Sequence, residues 1–222
     1  MSENRTCHIV GAGDFCARSL TARPGDFVIA ADGGYSRLSA AGVTPDLLLG
    51  DFDSLERVPE LPEVLRYPKI KDDTDMMLAV RLGLERGFRR FCLYGGTGGR
   101  LDHTLANLQT LRYLSERDCE AFLIDPRSAA SCLSGGSSLS FPAGMRGFVS
   151  VFAQGGPARG VRIRGLMYPL EDAELHCDMP LGVSNEFLDG PASVSVSEGC
   201  LLVWWQTEPG QALPELRLEA GT

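Results

Sequence analysis

Apolar residues follow two rhythms along this chain. In the first half they form short unbroken runs, Thr6–Val10, Phe27–Ala31, Leu47–Leu49 and Phe91–Tyr94, each stopping at or near glycine or aspartate. Runs of that length, bounded by turn residues and without alternation, predict strands buried on both faces, as in a parallel sheet. Between them lie helical spacings. Thr74 is a plausible N-cap for a helix burying Met77, Val80 and Leu84, and Leu105, Leu108, Leu111 and Leu114 recur three apart in another. A helical segment is also predicted to follow G-A-G-D-F-C and run through Ser19, and Val58 to Pro68 reads as a proline-rich connection. Near Asp125 the rhythm changes. Short alternating segments follow (Phe148–Ala153, Val161–Ile163, Ser193–Ser197 and Leu201–Trp205), separated by glycine-rich turns, and the tail from Glu208 reads as loose. The prediction is an α/β parallel-sheet domain over residues 1–126, then an all-β sandwich domain over residues 127–222.

Composition narrows the function classes. With 222 residues, 44% of them hydrophobic, the chain can bury one large or two small cores. A net charge of -8 argues against a nucleic-acid partner, because such binders usually carry a clustered basic face. No apolar run approaches the roughly 20 residues that span a bilayer, and M-S-E-N-R-T is not signal-like, so no membrane role and a cytoplasmic location are expected. Seven cysteines scattered singly, with no C-x-x-C, fit reduced and mostly buried thiols rather than zinc or a disulfide framework. His8, His103 and His176 are too far apart in sequence to suggest a ligand cluster.

The acidic residues carry the chemistry. In P-D-L-L-L-G-D-F-D-S, Asp51 and Asp53 follow a strand directly. In extended chain they share one face and repel unless a cation lies between them, although an isolated D-x-D also occurs as a solvated turn. Asp72, Asp73 and Asp75 then crowd the start of the Thr74 helix, beyond what capping requires. If Asp75 faces Asp51 and Asp53, a magnesium ion gains three oxygen ligands and keeps positions for water and phosphate. Lys71 beside them either holds a phosphate oxygen or is a solvated surface lysine. The turn G-G-T-G-G-R-L-D-H opens a helix, so its backbone N–H groups, with Arg100, can cradle a phosphate; a tight strand-helix turn is the plainer reading. It is not a Walker A loop. Asp102 and His103 can serve simply as caps. Asp32 lies about 20 residues beyond the G-A-G turn, where a Rossmann domain keeps its ribose-binding acid. Cys16 stands at the third fingerprint position, however, and a nicotinamide enzyme gives the later acids no role. What survives is a Rossmann-like parallel sheet whose strand ends, at Gly11, Asp32 and Asp51, gather at one edge.

Taken together, A-D-G-G (Ala31 to Gly34), P-D-L-L-L-G-D-F-D-S, K-D-D-T-D (Lys71 to Asp75) and G-G-R-L-D-H (Gly98 to His103) closely resemble the bacterial thiamine pyrophosphokinase family. R-G-L-M-Y-P-L (Arg164 to Leu170) and G-V-S-N-E-F (Gly182 to Phe187) resemble its thiamine-binding segments. The resemblance implies attack of the thiamine hydroxyl on the β-phosphorus of ATP with loss of AMP. It also implies Mg2+ and a homodimer with active sites at the interface. Asp51, Asp53 and Asp75 match the family's magnesium acids, and Lys71 and Arg100 its phosphate-handling positions. Asp32 matches an active-site acid. With Gly33, Asp72, Gly98, Gly99, Arg100 and Asp102 it makes up the set expected around the nucleotide. Tyr168 stands where an aromatic stacks on thiamine, and Ser184 and Asn185 match the pair contacting the pyrimidine end. Met167 replaces the lysine the family often has before that aromatic. Two other classes stay open, a magnesium-dependent phosphoesterase and a non-catalytic thiamine or nucleotide-binding protein.

Overall fold

The structure, a computed structural model, describes residues 5–52, 61–68 and 72–218. The chain divides into two compact units, Met1–Thr110 with Leu123–Pro126, and Leu111–Phe122 with Arg127–Thr222. In the first, β1 (Thr6–Val10), β2 (Phe27–Ala31), β3 (Leu47–Gly50), β4 (Glu63–Arg66) and β5 (Arg90–Tyr94) run parallel in the order β5-β1-β2-β3-β4. Helices α1 (Gly34–Ala40) and α2 (Asp75–Glu85) pack on this sheet. The unbroken apolar runs are explained by burial on both faces: Ile9, Ile29, Leu47, Leu48, Leu49, Phe91 and Leu93 have no exposed surface. Because neighbouring strands are parallel and in register, Val10 with Tyr94 and Ala31 with Leu49, their C-terminal ends share one edge.

Three local readings change. The segment expected to be helical through Ser19 is a single 3-10 turn, Ala17–Ser19, which buries none of its residues and so has no apolar face to hold a longer helix. The proline-rich connection contains β4, an edge strand whose pairing with β3 supplies what its own sequence lacks. Helix α2 does start at Thr74, whose Oγ1 accepts from Met77 N at 3.2 Å. Its buried stripe is Met76, Ala79, Val80 and Gly83, while Met77 and Leu84 are half-buried. The stripe is set by where Gly83 allows the helix to approach Phe91 and Cys7.

The chain passes between units along α3 (Leu101–Ser115) and β6 (Glu120–Ile124). The second unit holds β7 (Ser128–Ser134), β8 (Ser138–Phe141), β9 (Phe148–Ala153), β10 (Ala158–Arg164) and β11 (Leu170–Leu175). It continues with β12 (Gly182–Glu186), β13 (Ala192–Ser195), β14 (Cys200–Gln206) and β15 (Glu215–Arg217). These strands pair antiparallel, as β12-β9-β14-β7 and as β11-β10-β13-β8-β15. Phe141 of β8 meets Trp205 of β14 edge to face, with ring centroids 5.4 Å apart, joining the two sets in one aromatic core. The tail is not wholly loose, since β15 adds to β8. None of the seven cysteines is joined in a disulfide; five are buried, Cys16 is half-buried and Cys177 exposed. Among the described residues no helix is long and apolar enough to cross a membrane.

One buried polar chain crosses the first unit. His8 Nε2 lies 3.3 Å from Asp26 Oδ2, and its Nδ1 lies 3.2 Å from the Tyr94 hydroxyl. Burial pushes the His8 pKa down, against the opposing pull of Asp26. Burial alone would raise the Asp26 carboxyl, but hydrogen bonds from Thr6 N, Arg23 N and His8 outweigh it, so its pKa lies below the usual range. The unfolded chain therefore takes up a proton on His8 at about pH 6.5, while the folded chain resists until lower pH. Stability is expected to fall as pH drops below about 6.5, and His8→Gln, which cannot titrate, is expected to flatten that fall between about pH 7 and about pH 5. Denaturant midpoints at the two values test this; equal pH slopes in parent and variant would rule it out.

Candidate active site

At the C-terminal edge of the parallel sheet the first unit opens into a cleft of about 280 Å³. Gly11 to Gly13 after β1, Asp32 after β2, Asp75 at the head of α2, and the loop after β5 through Arg100 and His103 line it. The floor is rigid by construction. Beyond the last paired residues, Gly11 N donates to Tyr94 O at 2.8 Å, Gly13 N to Gly95 O at 2.9 Å and Asp14 N to Thr97 O at 2.9 Å, so the β1–β5 ladder continues into both loops. The buried amide of Asn107 donates to Gly96 O at 2.8 Å, and the Thr97 hydroxyl bonds to Asp125. Sequence reasoning missed Asn107, although a lone amide nearly two turns into a helix that follows a glycine-rich turn is a readable signal.

The glycines expected around the nucleotide differ in role. At Gly98, with φ 76, a Cβ would strike the Asp14 carboxylate, so this glycine accommodates the protein's own packing. Around Gly99 there is open space, so the main chain there is accessible to a ligand. Arg100 is engaged. Its Nε and Nη2 grip Asp102 Oδ1 and Oδ2 at 3.1 and 2.6 Å, with both side chains exposed. The hydrogen bonds of this fork raise the Arg100 pKa and lower that of Asp102. Helix α3 starts at Leu101, earlier than its leucine spacing indicates, so Asp102 sits in its first turn and accepts from His103 N at 3.0 Å.

The acids are placed unequally. Asp32 takes φ 48, and its N–H donates to Leu49 O at 2.7 Å, which holds it against Gly50. Asp75 is the first residue of α2 and half-buried. Asp51 is half-buried after Gly50, but the chain does not continue as a strand: Phe52 has φ 64 and is buried. The shared face expected for alternating acids in extended chain therefore does not describe this turn. Asp53 and Lys71 lie outside the described residues. Gly33 is half-buried at the N-cap of α1 and is not among the residues that line the cleft, Asp72 is exposed, and Asp73 pairs with Arg81 at 3.3 Å. Among the described residues no group of His, Cys, Asp or Glu side chains forms a ready metal cage. The donor chemistry still suits a hard cation, since magnesium keeps most of its waters and takes one or two carboxylates beside substrate phosphates.

The residues expected to meet the second substrate lie in the second unit. Tyr168, between β10 and β11, is 65% exposed. Ser184 is exposed with φ 60, at a register shift between β12 and β9, and its N–H donates to Ser150 Oγ at 3.1 Å. Asn185 is only 5% exposed, with its side chain turned inward.

Fold and cleft define a mixed α/β protein in which a parallel-sheet unit with an acid-rimmed, glycine-walled cleft is joined to an antiparallel unit. The thiamin pyrophosphokinase catalytic domain signature spans residues 20–123, and the thiamin pyrophosphokinase vitamin B1 binding domain signature spans residues 138–201. The chain belongs to the thiamine pyrophosphokinase family. It is 27% identical to the thiamine pyrophosphokinase of Bacillus subtilis over 186 residues, 81% of this chain and 87% of that protein. The crystal structure of the Bacillus subtilis protein superposes with a TM-score of 0.82 at 25% identity, covering 92% of this chain and all of that one, 100%. That of thiamin pyrophosphokinase from Geobacillus thermodenitrificans superposes with a TM-score of 0.78 at 26% identity, covering 91% and 98%.

Proposed function

We propose that this chain transfers the pyrophosphoryl group of ATP to the hydroxyl of thiamine, giving thiamine diphosphate and AMP. The observation that carries the reading is the order of catalytic and vitamin B1 binding signatures along one chain. The cleft supports it, with Asp32, Asp75, Gly99 and Arg100 around one opening. In this reading residues 1–126 form a Rossmann-like nucleotide domain and residues 127–222 a β-sandwich that receives thiamine. Transfer of this kind depends on positioning and on neutralising phosphate charge. The open backbone at Gly99 receives a phosphate, and Arg100 exchanges its fork on Asp102 for phosphate oxygens of the same bidentate geometry. Asp51, Asp53 and Asp75 would hold Mg2+, which when bound neutralises charge on the polyphosphate. Lys71 adds a cation beside them. Tyr168 offers an exposed ring to the cationic thiazolium, a contact worth about 0.5–2 kcal/mol.

A homodimer fits the same picture. Phe148, Met167, Met179, Leu181, Val183 and Leu188 of the second unit are 43–64% exposed, an apolar surface that a second copy would cover. Reduced thiols suit a cytoplasmic setting. Incubation with ATP, magnesium and thiamine, with products resolved by chromatography and molar mass read by light scattering, tests the reading. AMP and thiamine diphosphate in equal amounts from a dimer are expected. Free phosphate formed without regard to thiamine would replace it with a phosphoesterase.

A further inference from the structure

Asn185 and Ser184 are adjacent, yet the structure sends them opposite ways. The left-handed backbone at Ser184 leaves its side chain in solvent, while that of Asn185 is directed inward, onto the chain that carries Tyr168. Asn185 Oδ1 accepts from Tyr168 N at 2.9 Å, and Asn185 Nδ2 donates to Tyr168 O at 2.7 Å. The same Oδ1 also accepts from Glu186 N at 2.9 Å. A carboxamide offers two N–H donors and one carbonyl oxygen. Here the oxygen is doubly used, and one N–H is spent on the same residue whose N–H the oxygen holds. Gripping both backbone groups of one residue is what a neighbouring strand does, and the side chain substitutes for it where the ladder breaks. Just before Tyr168 the backbone makes the pairing itself: Met167 N donates to Glu186 O at 3.0 Å, and Leu166 bridges to Phe187.

The outcome is a fixed backbone beneath a free ring, because Tyr168 itself remains 65% exposed. We propose that Asn185 is a positioning residue, which fixes the backbone of Tyr168 so that the ring stands ready for a flat cationic heterocycle, and that it does not touch the substrate. The inference rests on the reading above, that Tyr168 stacks on thiamine. A ring carried on a loose loop would have to be ordered at each binding event, and the carboxamide clamp removes that cost in advance.

The two roles separate in a double-variant cycle. Asn185→Ala is expected to raise the KM for thiamine by about the same factor as Tyr168→Ala, roughly tenfold, because each removes the ordered platform. The double variant is expected to be no worse than Tyr168→Ala alone, with kcat and the KM for ATP within about twofold of the parent throughout. Asn185→Asp keeps the acceptor for Tyr168 N but cannot donate to Tyr168 O, so an intermediate KM is expected; it replaces Asn185→Ala in the cycle if circular dichroism shows that variant unfolded. Effects that multiply in the double variant, or an unchanged thiamine KM for the Asn185 variant, overturn this inference alone. A parent chain that makes no thiamine diphosphate overturns the functional reading and this inference with it.

Discussion

Asp51→Asn is expected to fold as the parent does and to lose turnover by on the order of 10²–10³-fold, with the loss in kcat rather than in the KM for thiamine. The substitution is nearly isosteric, and Asp51 is half-buried just after β3, so the buried position of the next residue, Phe52, is retained. What disappears is a full negative charge at the edge of the sheet that also carries Asp32 and borders Asp75. In the proposed reaction that charge helps to hold magnesium against the polyphosphate, and an amide oxygen is a far weaker ligand for a hard cation. The half-saturating magnesium concentration is expected to rise as kcat falls. Asp73→Asn is the discriminating control, because Asp73 is paired with Arg81, and its rate is expected to stay within about twofold of the parent. If Asp51→Asn retained a rate within about threefold of the parent at saturating magnesium, Asp51 would have no part in the site.

What could be read from sequence was set mostly by local patterns. The strands Phe27–Ala31 and Phe148–Ala153 stand where their apolar runs and flanking turns put them, and Thr74 starts α2 because a hydroxyl at an N-cap needs only a neighbour three residues on. Parallel strands in register bring Gly11 and Asp32, two of the three strand ends expected at one edge, into one cleft from far apart in sequence, whereas Asp51 is not among the residues that line it. The failures are non-local. β4 exists by pairing with β3, and nothing in E-V-L-R announces that. Phe52 is a buried aromatic with a left-handed backbone, so the chain after Asp51 is not the extended strand that the alternation assumed. Arg100 looks like a free cation in sequence and is forked to Asp102 in space. The bond from Asn185 to Tyr168, 17 positions earlier in the chain, is equally invisible in sequence.

The second glycine of A-D-G-G carries the largest expected effect on stability. Gly34 opens α1 with its Cα pressed against β1, and a Cβ built there would overlap the carbonyl oxygen of Val10 and come within 3.2 Å of Gly11 N. No side chain is available to yield; the obstacle is the backbone of a fully buried strand. Gly34→Ala must therefore push α1 off the sheet or bend β1, and either movement displaces Asp32 and Gly11 at the cleft. A cost of about 3 kcal/mol or more is expected, with a fall in Tm of roughly 6–12 °C. Gly42→Ala separates steric overlap from the mere loss of a glycine. Gly42 has φ 70 and nothing within 4 Å of a built Cβ, so it bears only the backbone strain, about 1 kcal/mol. Denaturant midpoints of the two variants should differ accordingly, with Gly34→Ala much the lower. Equal midpoints would mean that α1 can be lifted from β1 at little cost, and that Asp32 is not held in place by the helix that follows it.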